Sequence, residues 1–138
     1  MGYRSDVAIE LQDKAFEKMK KAFDELATVY KTDYDYCRPF VKKFCKSTTV
    51  IGFERIKWAE GFGFVEVDAV MKVLYDIDKK HRGEEGFGYY FVRVGEEFGD
   101  VEERYSKEVS NIKFYPSIFP ETRICMPVAN DGDKLLGD

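Results

Sequence analysis

The sequence predicts an α+β fold: a mainly antiparallel sheet of about four strands with two or three helices on one face, ferredoxin-like in character. Segments that alternate apolar and polar residues with a period of two, as half-buried strands do, are interleaved with segments whose apolar residues recur every three to four positions, as in amphipathic helices. The order is strand, helix, short helix, strand, helix, strand, strand, which gives the helices a sheet to cover. The chain has 138 residues, 44% hydrophobic and 16% aromatic, enough for one sizeable core and too few for two. Residues 1–119 are therefore expected to form a single domain. From Pro120 the composition turns to Pro, Asn, Asp and Gly, so residues 120–138 read as an extended arm or tail.

The first strand is expected from Tyr3 to Leu11, where Val7, Ile9 and Leu11 alternate with Asp6, Ala8 and Glu10. Asp13 then offers a cap to a helix whose apolar face is Phe16, Met19, Phe23, Leu26 and Tyr30. Residues 31–39 read as a connection. Pro39 suits the first turn of a short helix carrying Phe40, Val41, Phe44 and Cys45. The Thr and Val of STTVIGFERIKW signal a strand. Its apolar parity slips between Phe53 and Ile56, which calls for a bulge or tight hairpin between Gly52 and Arg55.

Asp68 is a candidate cap for a further helix with Val70, Met71, Val73, Leu74 and Ile77 on its apolar face. Lys79, Lys80 and Arg82 collect at its negative end, and Gly83 can terminate it. Tyr89 to Val94 alternates cleanly, with Tyr90, Val92 and Val94 on one face and Tyr89, Phe91 and Arg93 on the other. An acidic loop follows, and Asn111 to Phe119 is the last expected strand.

Twenty-two Lys and Arg against twenty-six Asp and Glu give a net charge of −4, so the overall field repels phosphate backbones and disfavours a nucleic-acid coat. Neither a basic leader with an apolar stretch nor a run of membrane-spanning length is present, which makes the cytoplasm the expected compartment and removes a membrane partner. Cys37, Cys45 and Cys125 form no C-x-x-C pair and His81 stands alone, so free thiols are expected rather than a metal cage. No metal or other cofactor is expected.

Two near copies, EGFGFVEV at Glu60–Val67 and EGFGYYFV at Glu85–Val92, resemble the aromatic strand of RNA-recognition motifs. Both begin with Glu where Lys or Arg meets phosphate, and VAIEL in the first strand has no partner ring. Single-stranded RNA binding is thus the weakest of the readings. Glycines that let the chain turn, beside rings that enter the core, explain the copies better, and the first reads as a lead-in to the Asp68 helix.

GEEFGDVEERY, from Gly95 to Tyr105, gathers Glu96, Glu97, Asp100, Glu102 and Glu103. The spacing is not that of an EF-hand and no second acidic motif completes a two-metal site, so this is a candidate partner-binding patch set against a plain solvated turn. Arg55, Trp58, Tyr89, Phe91 and Arg93 form an alternative group for a flat anionic ligand such as a nucleotide, set against rings simply buried in the core. No phosphate loop, nucleophile elbow or paired-cysteine motif points to an enzyme. No catalytic residue is assigned.

The opening MGYRSDVAI, the KW at Lys57–Trp58, FVRVGEE at Phe91–Glu97 and DVEE at Asp100–Glu103 together resemble small proteins encoded by bacteriophages and prophages. The resemblance spans residues 1–105 and has no established activity attached to it. It implies an accessory protein acting in the cytoplasm of an infected bacterium, non-catalytic, that binds and inhibits a host protein such as a CRISPR or other defence component. Glu96, Glu97, Asp100, Glu102 and Glu103 would then meet a basic surface. A homodimer is compatible with the same features.

Overall fold

The computed structural model describes residues 3–29, 40–45, 48–59, 61 and 64–106. Five strands and two helices follow in the order β1 (Ser5–Gln12), α1 (Asp13–Val29), β2 (Phe40–Cys45), β3 (Thr48–Ile56), α2 (Val65–Lys80), β4 (Tyr89–Gly95) and β5 (Val101–Tyr105). The strands form one sheet ordered β2-β3-β1-β4-β5, and each neighbouring pair is antiparallel. The α+β class is as the sequence predicts. The first six elements run strand-helix-strand-strand-helix-strand, a succession of ferredoxin-like character, and β5 widens the sheet.

The two-residue period of β1 sorts the core into two layers. Val7, Ile9 and Leu11 face the same side as Ile51, Phe53, Tyr89 and Phe91 and meet Met19 and Phe23 of α1 and Val70, Leu74 and Ile77 of α2. Fully burying each of the rings of Phe23, Phe53 and Phe91 contributes about 1.5–3 kcal/mol. Ala8, Val50, Tyr90, Val92 and Val94 form a second buried cluster from the other face, to which neither described helix contributes. The parity read from Tyr89 to Val94 is thus the parity of the sheet.

The slip in β3 is a β-bulge. Ser5 pairs with Ile56 and Val7 with Phe53, so β3 spends one more residue than β1 on the same step. Arg55 takes the left-handed conformation (φ 53°), and its N–H donates to Asp6 Oδ1 at 2.9 Å. The extra residue returns Ile56 to the helix-facing side, where it joins the core.

Three expectations need correction. Phe40–Cys45, expected as a short helix, is strand β2 paired with β3. FVKKFC satisfies both a one-sided helical turn and a strand, and β3 supplies hydrogen-bond partners that a lone short helix lacks. Second, α2 begins at Val65, and Asp68 lies inside its first turn and reaches back to accept the Gly61 N–H at 2.8 Å. Third, the end of the expected acidic loop is an edge strand, β5, paired with β4. The expected strand at 111–119 and arm at 120–138 lie outside the described residues.

The glycine-aromatic copies are structural joints. Gly61 (φ 84°) precedes α2. Gly86 (φ 88°) offers its carbonyl to the N–H groups of Lys14 and Ala15, at 3.0 and 3.1 Å, and so satisfies two of the orphan donors that open α1. Rings from the second copy, Tyr89, Tyr90 and Phe91, are buried, while Phe64 and Phe87 pack against the core edge.

Candidate functional site

The hairpin between β4 and β5 carries all five residues of the predicted acidic patch and gives them two different duties. Arg93 divides them. Its Nε donates to Glu102 Oε1 at 2.9 Å, its Nη2 donates to Asp100 Oδ1 at 2.9 Å and its Nη1 donates to Ser5 Oγ at 3.0 Å. Glu102 stands directly across from Arg93 in the strand register, so the pair is set by the sheet. Burial lowers the affinity of this guanidinium for its proton, but the two carboxylates outweigh that and raise it.

Tyr3 completes the clamp. Its hydroxyl donates to Asp100 Oδ2 and accepts the Glu97 N–H at 3.0 Å. That bond to Asp100 holds the Tyr3 hydroxyl above its ordinary titration range. A Cβ added at Gly95 would collide with the Asp100 carboxylate and the Tyr3 hydroxyl, so a larger residue there would push this clamp apart. Arg4 N donates to Glu96 Oε2 at 2.7 Å, tying the other side of the loop to β1.

On the opposite face of the sheet, Glu103 Oε2 accepts the Tyr90 hydroxyl at 2.6 Å and the Tyr105 hydroxyl at 3.1 Å, and the two tyrosine rings stack with centroids 4.8 Å apart. Burial, then the Glu103 carboxylate, pushes the Tyr90 hydroxyl far up. Asp100 and Glu102 are therefore internal braces with one cation between them, and Glu103 is a tyrosine acceptor. Glu96, Glu97 and Phe98 at the tip are exposed, as are Glu102 and Glu103 in β5; Phe98 is completely exposed, and Gly99 (φ 86°) turns the chain back. Phe98 was not singled out by the sequence, although a ring between Gly95 and Gly99 is the signal that finds it.

The alternative group is not gathered around an opening. Tyr89 and Phe91 have no exposed surface, and Trp58 lies between Phe53 and Phe91 with centroids 5.6 and 5.8 Å away. The Tyr89 hydroxyl donates to Asp78 and accepts from Arg104 Nε at 3.0 Å, with Arg104 also 2.7 Å from Asp78. Arg93 is occupied in the hairpin. Arg55 is exposed on the bulge and lines, with Arg4, Asp6 and Glu96, a cavity of about 30 Å³, which suits a water and not a nucleotide.

A larger groove of about 620 Å³ runs between α1 and α2 over Ala22, Leu26, Ala69 and Val73, with Lys21 and Lys72 on its rim. Lys18 and Asp76, 3.9 Å apart, close one end. The groove mixes both signs of charge, with Glu25, Asp68 and Asp76 beside Lys18, Lys21 and Lys72 among its described lining residues. His81, the sole histidine, stacks on Phe87 at 3.9 Å with its Nδ1 2.9 Å from Glu84 Oε1, at the C-terminal end of α2. Among the described residues no group of His, Cys, Asp and Glu is arranged to hold a metal ion, and no helix is long and apolar enough to cross a membrane.

No protein-family model, curated protein or solved structure matches the chain. The functional reading rests on the hairpin itself.

Proposed function

We propose that the protein is a non-catalytic interaction module whose β4–β5 hairpin binds a partner protein with a basic surface. The observation that carries this reading is the division of labour in the hairpin: Arg93, Asp100 and Tyr3 tie the loop to β1 and β4, and the tied loop presents Phe98, fully exposed, beside Glu96 and Glu97. An aromatic anchor flanked by like charges on a pre-ordered loop loses little entropy on docking and steers itself to a positive surface. In line with the phage-protein resemblance, the partner is a host protein of an infected bacterium, of the kind that itself handles nucleic acid in antiviral defence, and the effect of binding is inhibition.

Affinity capture with the tagged protein from bacterial lysate at low and high salt tests this. One near-stoichiometric protein held at low salt and released at high salt is expected, since steering between exposed charges is screened within about 8 Å at physiological ionic strength. A bait that holds nothing at low salt, but melts at a higher temperature with nucleotides, would contradict it.

A further inference from the structure

The hairpin also creates an edge. β5 is the last strand of the sheet, and no described strand pairs with its outer side. In an antiparallel pair, successive residues point their backbone groups alternately toward and away from the neighbour. Gly95 N donates to Asp100 O and Ser106 N to Tyr89 O, so the even-numbered residues of β5 bond inward to β4. The backbone N–H and C=O groups of Val101, Glu103 and Tyr105 consequently face outward, in a row that matches an incoming strand.

We propose that this row pairs with β5 of a second copy of the chain, antiparallel and centred on Glu103, so that two sheets join into one about a twofold axis. The sequence of the strand selects that occupant and that register. V-E-E-R-Y, read against itself in reverse, sets Val101 opposite Tyr105 and Glu102 opposite Arg104. Val101 and Tyr105 are exposed in the single chain, at 38% and 56%, and would cover each other on the outer face. Glu102 and Arg104 share the helix-facing side, next to Arg93 and Asp78 respectively. Pairing would extend these two bridges into one row of alternating charge: Arg93, Glu102, then Arg104 and Asp78 of the second copy. This register also brings every outward backbone group of the three odd-numbered residues opposite another.

Glu103 is the opposing element. It meets itself at the twofold axis, and like charges directly opposite one another weaken a strand pair. A five-residue edge buries little area, so the dimer is weak, with a dissociation constant on the order of 100 µM. Natural sheets blunt open edges with such charges, and here the charge holds the association to high local concentration. The inference stands independently of what the hairpin tip binds.

Sedimentation equilibrium of the full chain over a wide concentration series reads it directly. Wild type should show reversible monomer–dimer association. Glu103→Gln removes the central repulsion and should tighten the dimer about threefold. Val101→Pro removes an outward N–H at the start of an edge strand, where proline is tolerated, and should abolish association while the melting temperature stays near wild type. A wild type that remains monomeric throughout would overturn the proposal. Should Val101→Pro fail to fold, Glu103→Gln decides alone: unchanged or weaker association would exclude this register.

Discussion

Arg55 occupies the one left-handed non-glycine conformation among the described residues, and it does so because the bulge needs an extra residue between Phe53 and Ile56. The left-handed region costs an L-residue about 1–2 kcal/mol, and glycine adopts it freely. Asp6 holds the Arg55 N–H in place, and that bond is to backbone, so it survives loss of the side chain. Arg55→Gly should therefore raise stability by about 0.5–1 kcal/mol in chemical denaturation; a loss would show that the arginine side chain, and not the bulge, holds this end of β3. Glu66 is a different residue-scale feature. Its side chain is buried in the first turn of α2, Oε2 has no hydrogen-bond partner among the described residues, and burial raises its pKa above the ordinary carboxylate value. Below that ordinary value both folded and unfolded chains carry the proton. As the pH rises toward the raised folded value, only the folded chain keeps it, so stability falls with increasing pH across that window and is level above it. Glu66→Gln should flatten this slope and stabilise the protein at pH 7 by about 1 kcal/mol, as read from melting curves at a series of pH values.

At the scale of elements, Arg93 is the cation held between the hairpin carboxylates Asp100 and Glu102. Arg93→Met would leave Asp100 and Glu102 facing each other without it and free the Ser5 hydroxyl, which costs about 1–3 kcal/mol. The specific expectation is faster amide hydrogen exchange throughout residues 96–105 with β1 unchanged; a uniform increase across the sheet would show that Arg93 supports the core rather than the hairpin. The elements that announced themselves in the sequence are those whose residue types keep one period: Val7–Ile9–Leu11 against Asp6 and Glu10 in β1, Tyr90–Val92–Val94 against Arg93 in β4, and the apolar faces of α1 and α2, although both faces of β1 and β4 are buried. The bulge was legible for the same reason, since Ile56 can rejoin the core only if a residue is inserted. β5 was hidden because its side chains are mostly exposed: V-E-E-R-Y places no buried residue at alternate positions, and its structure comes from pairing with β4. β2 was hidden because six residues are too few to separate a period of two from one of 3.6. The acidic residues of the candidate site were legible as composition, but which of them brace and which project depends on the cross-strand partner of Arg93, a long-range fact.

For the molecule as a whole, the net charge of −4 understates how unevenly acid is spread. Between Gly95 and Tyr105 five carboxylates accompany one arginine, Arg104, which is itself bridged to Asp78. Arg93 of β4 answers Asp100 and Glu102, and Arg4 and Arg55 lie beside Glu96, so the proposed basic partner would be met chiefly by Glu97 next to the exposed Phe98. The helix face and the hairpin are joined by Arg104, which bonds Asp78 of α2 and stacks over Tyr75 with its carbon 4.7 Å from the ring centre. The most direct measurement compares capture by wild type with capture by the double variant Glu97→Lys, Phe98→Ala, both residues at the tip; Glu97 enters the clamp only through its backbone N–H, which the substitution keeps. The proposal predicts an unchanged melting temperature and at least a tenfold loss of the captured partner, since removing an anchoring aromatic from an interface costs about 2 kcal/mol or more. Equal capture by the two proteins would contradict it and place the binding surface elsewhere on the molecule.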